Sequence, residues 1–252
     1  MKWINLLLCL MLLSSIVSAQ DPADYFDSLG SKLLSKGNYS QALDLFNKSL
    51  DQLDSAAAWT HKGNALRSLR QYNASIESLN HALEIDDSYT PALVGLSDTY
   101  LAQKNYMAAY VAATQLTSLD PNDKTCWLRE GKILQMMGMF DQSLPKLDQA
   151  IAMDPKYKEA LYRRGLFFMG TGQYPQAIEQ FNSILTLDPK YKQAYNARGL
   201  AYAAEGDHDR ALSSYERALV IDPKFAQAKN NKMHSLLALK RQSEAIDIFG
   251  TI

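Results

Sequence analysis

The dipeptide Asp-Pro returns at 120–121, 154–155, 188–189 and 222–223, always 34 residues apart. Glycines at 131, 165 and 199 keep the same step, as do Ala177 and Ala211, with Ser143 in that phase one step earlier. A fixed period of this length marks a repeat array, in which each unit buries its apolar face against the next. Carried toward the N-terminus, the phase divides the chain into segments 23–55, 56–89, 90–123, 124–157, 158–191 and 192–225, with a partial seventh at 226–252. No linker or shift of composition interrupts them, so the expectation is one elongated array and not two globular domains.

Each segment reads as a pair of antiparallel helices. In 158–191, Leu161, Leu166 and Phe168 recur at helical steps, and Gly172 then supplies the left-handed residue that closes a helix. Tyr174-Pro175 restarts the chain with proline in the first turn, where its missing N–H costs nothing. Ala177, Ile178, Phe181, Ile184 and Leu185 form the stripe of a second helix, and Asp188-Pro189 stops it, because the residue before proline is pushed out of helical angles.

These residues resemble the tetratricopeptide repeat, a 34-residue helix pair with the pattern W-x2-L-G-x2-Y, then A-x3-F, A and P. Trp59 and Trp127 stand at the tryptophan place, with Phe26, Leu93, Leu161 and Tyr195 in other units. Gly30, Gly63, Gly131, Gly165 and Gly199 take the glycine place, and Tyr100 and Tyr202 the tyrosine after it. Ala42, Ala109, Ala177 and Ala211 take the alanine place, and Phe46, Phe181 and Tyr215 the second aromatic one. The resemblance covers about 23–252 and implies an all-α, right-handed superhelical solenoid of about six units plus a partial seventh. Small residues then let the paired helices approach, and large ones fill the space between pairs. A buried Trp59 or Trp127 cut to alanine is expected to cost about 3–5 kcal/mol.

Three departures carry expectations of their own. Ser97 replaces glycine and Ala113 the aromatic in the third unit, which predicts looser packing there. Pro145 falls inside a second helix and removes one backbone bond. Lys229, Lys232 and Met233 give the seventh unit a polar helix suited to capping the array.

The first residues read differently. Met1-Lys2 opens positively, Ile4–Leu13 is apolar apart from Asn5, and Val17-Ser18-Ala19 offers small residues for cleavage. This is the pattern of a secretory signal peptide over 1–19, leaving Gln20 as the mature N-terminus. The apolar stretch is shorter than the roughly 20 residues of a spanning helix. The expected location is therefore extracytoplasmic, secreted or in the cell envelope; an uncleaved, membrane-tethering segment is the alternative. Asn38-Tyr39-Ser40, Asn47-Lys48-Ser49 and Asn73-Ala74-Ser75 are possible glycosylation sites in such a setting.

Nothing in the sequence reads as chemistry. With 26 basic and 27 acidic residues, the chain has no bulk field to hold nucleic acid. Two cysteines make no disulfide framework, and cleavage would leave Cys126 alone. His61, His81, His208 and His234 show no metal-ligand spacing, and no phosphate loop, Gly-x-Ser-x-Gly or His-Glu-x-x-His occurs. No catalytic residue, metal or cofactor is assigned, and the chain is read as non-enzymatic.

The resemblance implies instead a concave groove lined by the first helices, in which partner segments lie. Its lining places hold Leu101, Leu128, Lys132, Gln135, Met136, Tyr162, Leu166, Met169, Asn196 and Leu200, with Val94 beside them and Lys132 and Arg163 at the rim. Asp24, Asp27, Asn64 and Arg67 take these places in the first two units, and the basic set that clamps a C-terminal carboxylate in some family members is not reproduced. The reading is an exported scaffold that binds a protein or peptide in this groove, with Tyr162 as anchor. The alternative is a structural subunit of a cell-envelope or secretion assembly, and a site for a small apolar ligand or glycan is a third reading.

Overall fold

The computed structural model describes residues 21–249, in which fourteen α-helices follow one another in pairs joined by short turns. The first three pairs are α1 (Pro22–Ser35) with α2 (Tyr39–Leu50), α3 (Ala56–Ser68) with α4 (Tyr72–Ile85), and α5 (Thr90–Ala102) with α6 (Tyr106–Leu119). Next come α7 (Lys124–Met136) with α8 (Phe140–Met153), and α9 (Lys158–Gly170) with α10 (Tyr174–Leu187). The last are α11 (Lys192–Ala204) with α12 (His208–Ile221), and α13 (Ala226–Ala238) with α14 (Gln242–Phe249). No strand occurs among the described residues. The leader read at 1–19, with Cys9 and the cleavage point before Gln20, lies outside them.

The chain divides into two compact units, an amino-terminal one ending at Leu119 and a carboxy-terminal one beginning at Asp120. Within each unit a helix packs on the one before and the one after it, and first helices of neighbouring pairs also touch.

The turn inside each pair depends on one left-handed residue. Gly37, Gly138, Gly172 and Gly206 take positive φ, and Arg70, Lys104 and Lys240 take it at the same place in their own pairs. At Gly172 the result is a Schellman closure: Gln173 N–H donates to Phe168 O at 2.8 Å and Gly172 N–H to Met169 O at 3.2 Å.

Between the pairs of the carboxy-terminal unit a second device repeats. Asp154, Asp188 and Asp222 end α8, α10 and α12, and each accepts from the backbone two residues on, at Lys156, Lys190 and Lys224. Their other carboxylate oxygens take Lys124, Lys158 and Lys192, the first residues of α7, α9 and α11, at 2.5, 2.7 and 2.5 Å. The same ammonium groups stand over Tyr157, Tyr191 and Phe225. These hydrogen bonds hold the three carboxyls below the usual aspartate range. Ala56 and Thr90 stand at the lysine place in the amino-terminal unit.

Inside each pair the core is a small residue against a large one. A Cβ on Gly30 would lie 2.6 Å from Phe46, and one on Gly165 would lie 2.5 Å from Phe181, so neither glycine can carry a side chain while the ring stays in place. The third pair inverts the sizes. Ala113 leaves room where a ring would be, Ser97 occupies it, and both are fully buried. Ser97 Oγ donates to Ala109 O at 3.2 Å. The third pair thus exchanges the small and the large place, with both side chains closed to water.

The tryptophans depart from expectation. Trp59 and Trp127 are half-buried, not core. Trp59 stacks on His81 with ring centres 4.8 Å apart and donates to Asp54, and Trp127 donates to Pro121 O at 2.9 Å beneath Lys146. Part of each indole already meets water, so truncation costs less than the burial figure given above. Pro145 lies in an unbroken α8.

Candidate functional site

The first helices of the carboxy-terminal unit, α7, α9, α11 and α13, bring nine of the ten expected groove residues into one unit; Leu101 lies on α5 of the other. Their exposure divides them. Met136 and Leu200 are exposed at 44% and 38%. Lys132, Gln135, Tyr162, Leu166 and Met169 are half-buried, and Leu128 and Asn196 are buried. Leu128 belongs to the cluster around Leu147, and Asn196 Oδ1 accepts from Asn231 Nδ2 at 2.8 Å, which fixes α11 against α13.

Tyr162 has a divided position. Its ring centre lies 5.8 Å from Phe181 and 6.0 Å from Tyr191, and burial raises its phenol pKa. Leu166 and Met169 pack on the same cluster. Gln135 Nε2 donates to Arg163 O at 2.9 Å and ties α7 to α9. Arg163 Nε is buried with no hydrogen-bond partner among the described residues. Such a donor carries a desolvation cost.

The sequence reading missed Leu237 on α13, exposed at 47%. Continuing the 34-residue step from Met169 and Ala203 leads to it, on a helix that Lys229, Lys232 and Met233 mark as a polar cap. Met136, Leu200 and Leu237 thus leave apolar surface on three of the four first helices, whereas the second residue of each helix, Thr125, Glu159, Gln193 and Gln227, is exposed and polar. The face is amphipathic.

Elsewhere several charged groups pair with one another, while Thr60 Oγ1 and Arg67 Nε are buried without a hydrogen-bond partner among the described residues. His61 Nδ1 lies 2.8 Å from Asp27, Arg67 lies 3.2 Å from Asp98, and His81 lies 2.8 Å from Glu84. Burial, then Asp123, pushes the Cys126 thiol up to about 11, which makes it a poor nucleophile. No group of three or more His, Cys, Asp or Glu that could hold a metal occurs among the described residues, and none of their helices is long and apolar enough to cross a membrane.

Asn38, Asn47 and Asn73 are all exposed. Two of the sequon serines have packing reasons to be serine: Ser49 Oγ donates to Ala23 O at 2.9 Å, and Ser75, at the alanine place, pairs with Thr99 at 3.1 Å.

Comparison with known proteins agrees with this geometry. Tetratricopeptide repeat models match residues 56–89 and three overlapping stretches that together run from 128 to 249, well over half of the chain. Human tetratricopeptide repeat protein 12 is 25% identical over 104 residues, 41% of this chain and 15% of that protein. Rat sperm-associated antigen 1 is 23% identical over 94 residues, 37% of this chain and 10% of that one. The chain thus spans a small part of the curated relatives it matches. Among solved structures, a tetratricopeptide repeat protein from Parabacteroides merdae superposes with a TM-score of 0.75 at 15% identity, covering 91% of each chain. PilF of Pseudomonas aeruginosa gives 0.68 at 16%, covering 83% of this chain and 96% of that one. YrrB, described as having an unusual peptide-binding site, gives 0.57 at 22%, covering 74% and 97%. At these identities the likeness is one of fold. By its repeat, its helix pairs and these matches, the chain belongs to the tetratricopeptide repeat family.

Proposed function

We propose that this protein is an exported scaffold that binds an apolar or amphipathic polypeptide segment on the first-helix face of its carboxy-terminal unit. Proteins built from this repeat are protein-interaction scaffolds, and YrrB is described as binding peptide. The observation that carries the reading is the exposure of Met136, Leu200 and Leu237, one on each of three first helices, since large apolar side chains held in water gain by burial against a partner. Methionine adapts to varied side chains, which suits a permissive face. Export rests on the leader pattern of 1–19 alone.

The test is capture from the extracytoplasmic fraction with the wild-type chain and with Met136→Lys/Leu200→Lys. Both side chains are already in water, so the melting temperature should stay within about 2 °C, as for surface substitutions. Loss of a captured protein by the double variant supports the reading, and unchanged capture contradicts it. Intact mass of the exported chain, beginning at Gln20 or at Met1, decides the leader.

A further inference from the structure

The sequence of α6, Tyr106 to Leu119, contains no Asp, Glu, Lys or Arg, and no other described helix lacks all four. Its outward side is also unlike that of its counterparts. Met107 and Val111 are exposed at 59% and 51%. The other second helices put Ser40, Asn73, Asp141, Pro175 and Asp209 at the place of Met107, all in water. At the place of Val111 they put Asp44, Glu77, Pro145, Glu179 and Ser213, again all in water. The fold therefore makes no demand for apolar residues at these two places.

The same stripe continues at i+4 and i+8 steps, from Met107 through Val111 to Gln115, and it ends in a hollow of about 300 Å³. Leu83 and Asp87 line this hollow from the end of α4, Leu93 from α5, and Gln115, Ser118 and Leu119 from α6. Its floor is the tryptophan place of the repeat, where Leu93 leaves the space that an indole takes at Trp59.

We infer that this face docks on a second copy of the chain, with the two α6 helices antiparallel about a two-fold axis near Ala113. That axis sets residue 107 against 119 and residue 111 against 115. The projecting Met107 of each copy then sits over the hollow of the other, so knob and hollow are satisfied twice by one contact, as an isologous interface requires. α6 itself brings no charge to the contact, so the two helices face each other without like-charge repulsion, and Asp87 at the hollow is a carboxylate that each Met107 approaches. The helices are about 21 Å long, and their contact is smaller than the ~800 Å² per partner of a stable dimer. The association is accordingly reversible and depends on concentration.

Sedimentation velocity from about 5 to about 500 µM, the range of a weak complex, tests this. The wild-type mass should climb toward twice that of the monomer. Val111→Glu and Met107→Asp copy what sibling helices already carry, so both should fold as wild type and stay monomeric throughout. Oxidation of mixed chains should join Met107→Cys to Leu119→Cys in preference to joining two Met107→Cys chains. A wild type that is monomeric at every concentration, a Val111→Glu variant that self-associates as well as wild type, or predominant Met107→Cys self-linkage would each overturn the inference.

Discussion

The amino- and carboxy-terminal units share one repeat and put opposite things in water. On the first helices of the amino-terminal unit the polar groups are tied to one another, Asp27 to His61 and Arg67 to Asp98. On those of the carboxy-terminal unit, Met136, Leu200 and Leu237 stand in solvent. On the second helices, Met107 and Val111 are exposed on α6 where α10 holds Pro175 and Glu179, while α12 and α14 expose Val220 and Ile246 at other places. The means of fixing neighbouring helices differ as well. Buried hydroxyls serve the first unit, as in Ser75 with Thr99. Lysine–aspartate ties serve the second. A common fold therefore says little about which face meets a partner, and the placement of surplus apolar surface says more.

Substitutions in the two cores should separate the units most strongly. Phe181 is fully buried against Gly165, and Phe181→Ala should cost about 3–5 kcal/mol in a chemical melt. The third pair already holds alanine at that place. Ala113→Phe alone should overpack Ser97 and cost about 1–3 kcal/mol, and adding Ser97→Gly should recover most of the loss. A double-mutant cycle that shows no coupling between 97 and 113 would mean the exchange of volume is incidental.

The turns give a smaller effect of opposite sign. Lys104 holds φ +60°, where its glycine counterparts are unstrained. Lys104→Gly should stabilise the amino-terminal unit by up to about 1 kcal/mol, partly offset by the greater freedom of glycine in the unfolded chain. Gly172→Ala, in the other unit, should destabilise it by a similar amount.

Acid should act on one unit's ties and spare the other's. Asp154, Asp188 and Asp222 are held below their ordinary value of 3.8 by their lysines. A depressed carboxyl stabilises the fold above its unfolded value, and that contribution is lost as pH falls below 3.8 through the depressed one. Asp188→Asn should lower the melting temperature slightly at pH 6 and progressively less toward pH 2.5. The Ser75–Thr99 pair does not titrate, so the effect of Thr99→Val should not change over the same range. The ties are half-buried and reached by water, so a small effect is expected.

The period and the helix pairs were legible in the sequence because each is a local spacing repeated many times, whereas the aromatic places pointed to filling between pairs and not to the ring on the glycine inside a pair. The lysine ties were written at the same 34-residue step, in Lys124, Lys158 and Lys192, but their partners lie 30 residues on, across a turn that helical periodicity does not describe. The left-handed place was visible at Gly172 and hidden at Arg70, Lys104 and Lys240, where the residue type gives no sign of it. The groove places mixed exposed Met136 with buried Leu128 because register names a side of a helix, while burial depends on how far the next pair covers it.

The most direct test of the proposed binding face uses chain labelled at the methionine methyl groups, titrated with the captured partner. The account predicts that the Met136 and Met169 signals shift together and saturate, while Met107 stays in place. Movement of Met107 with Met136 and Met169 unchanged would contradict it.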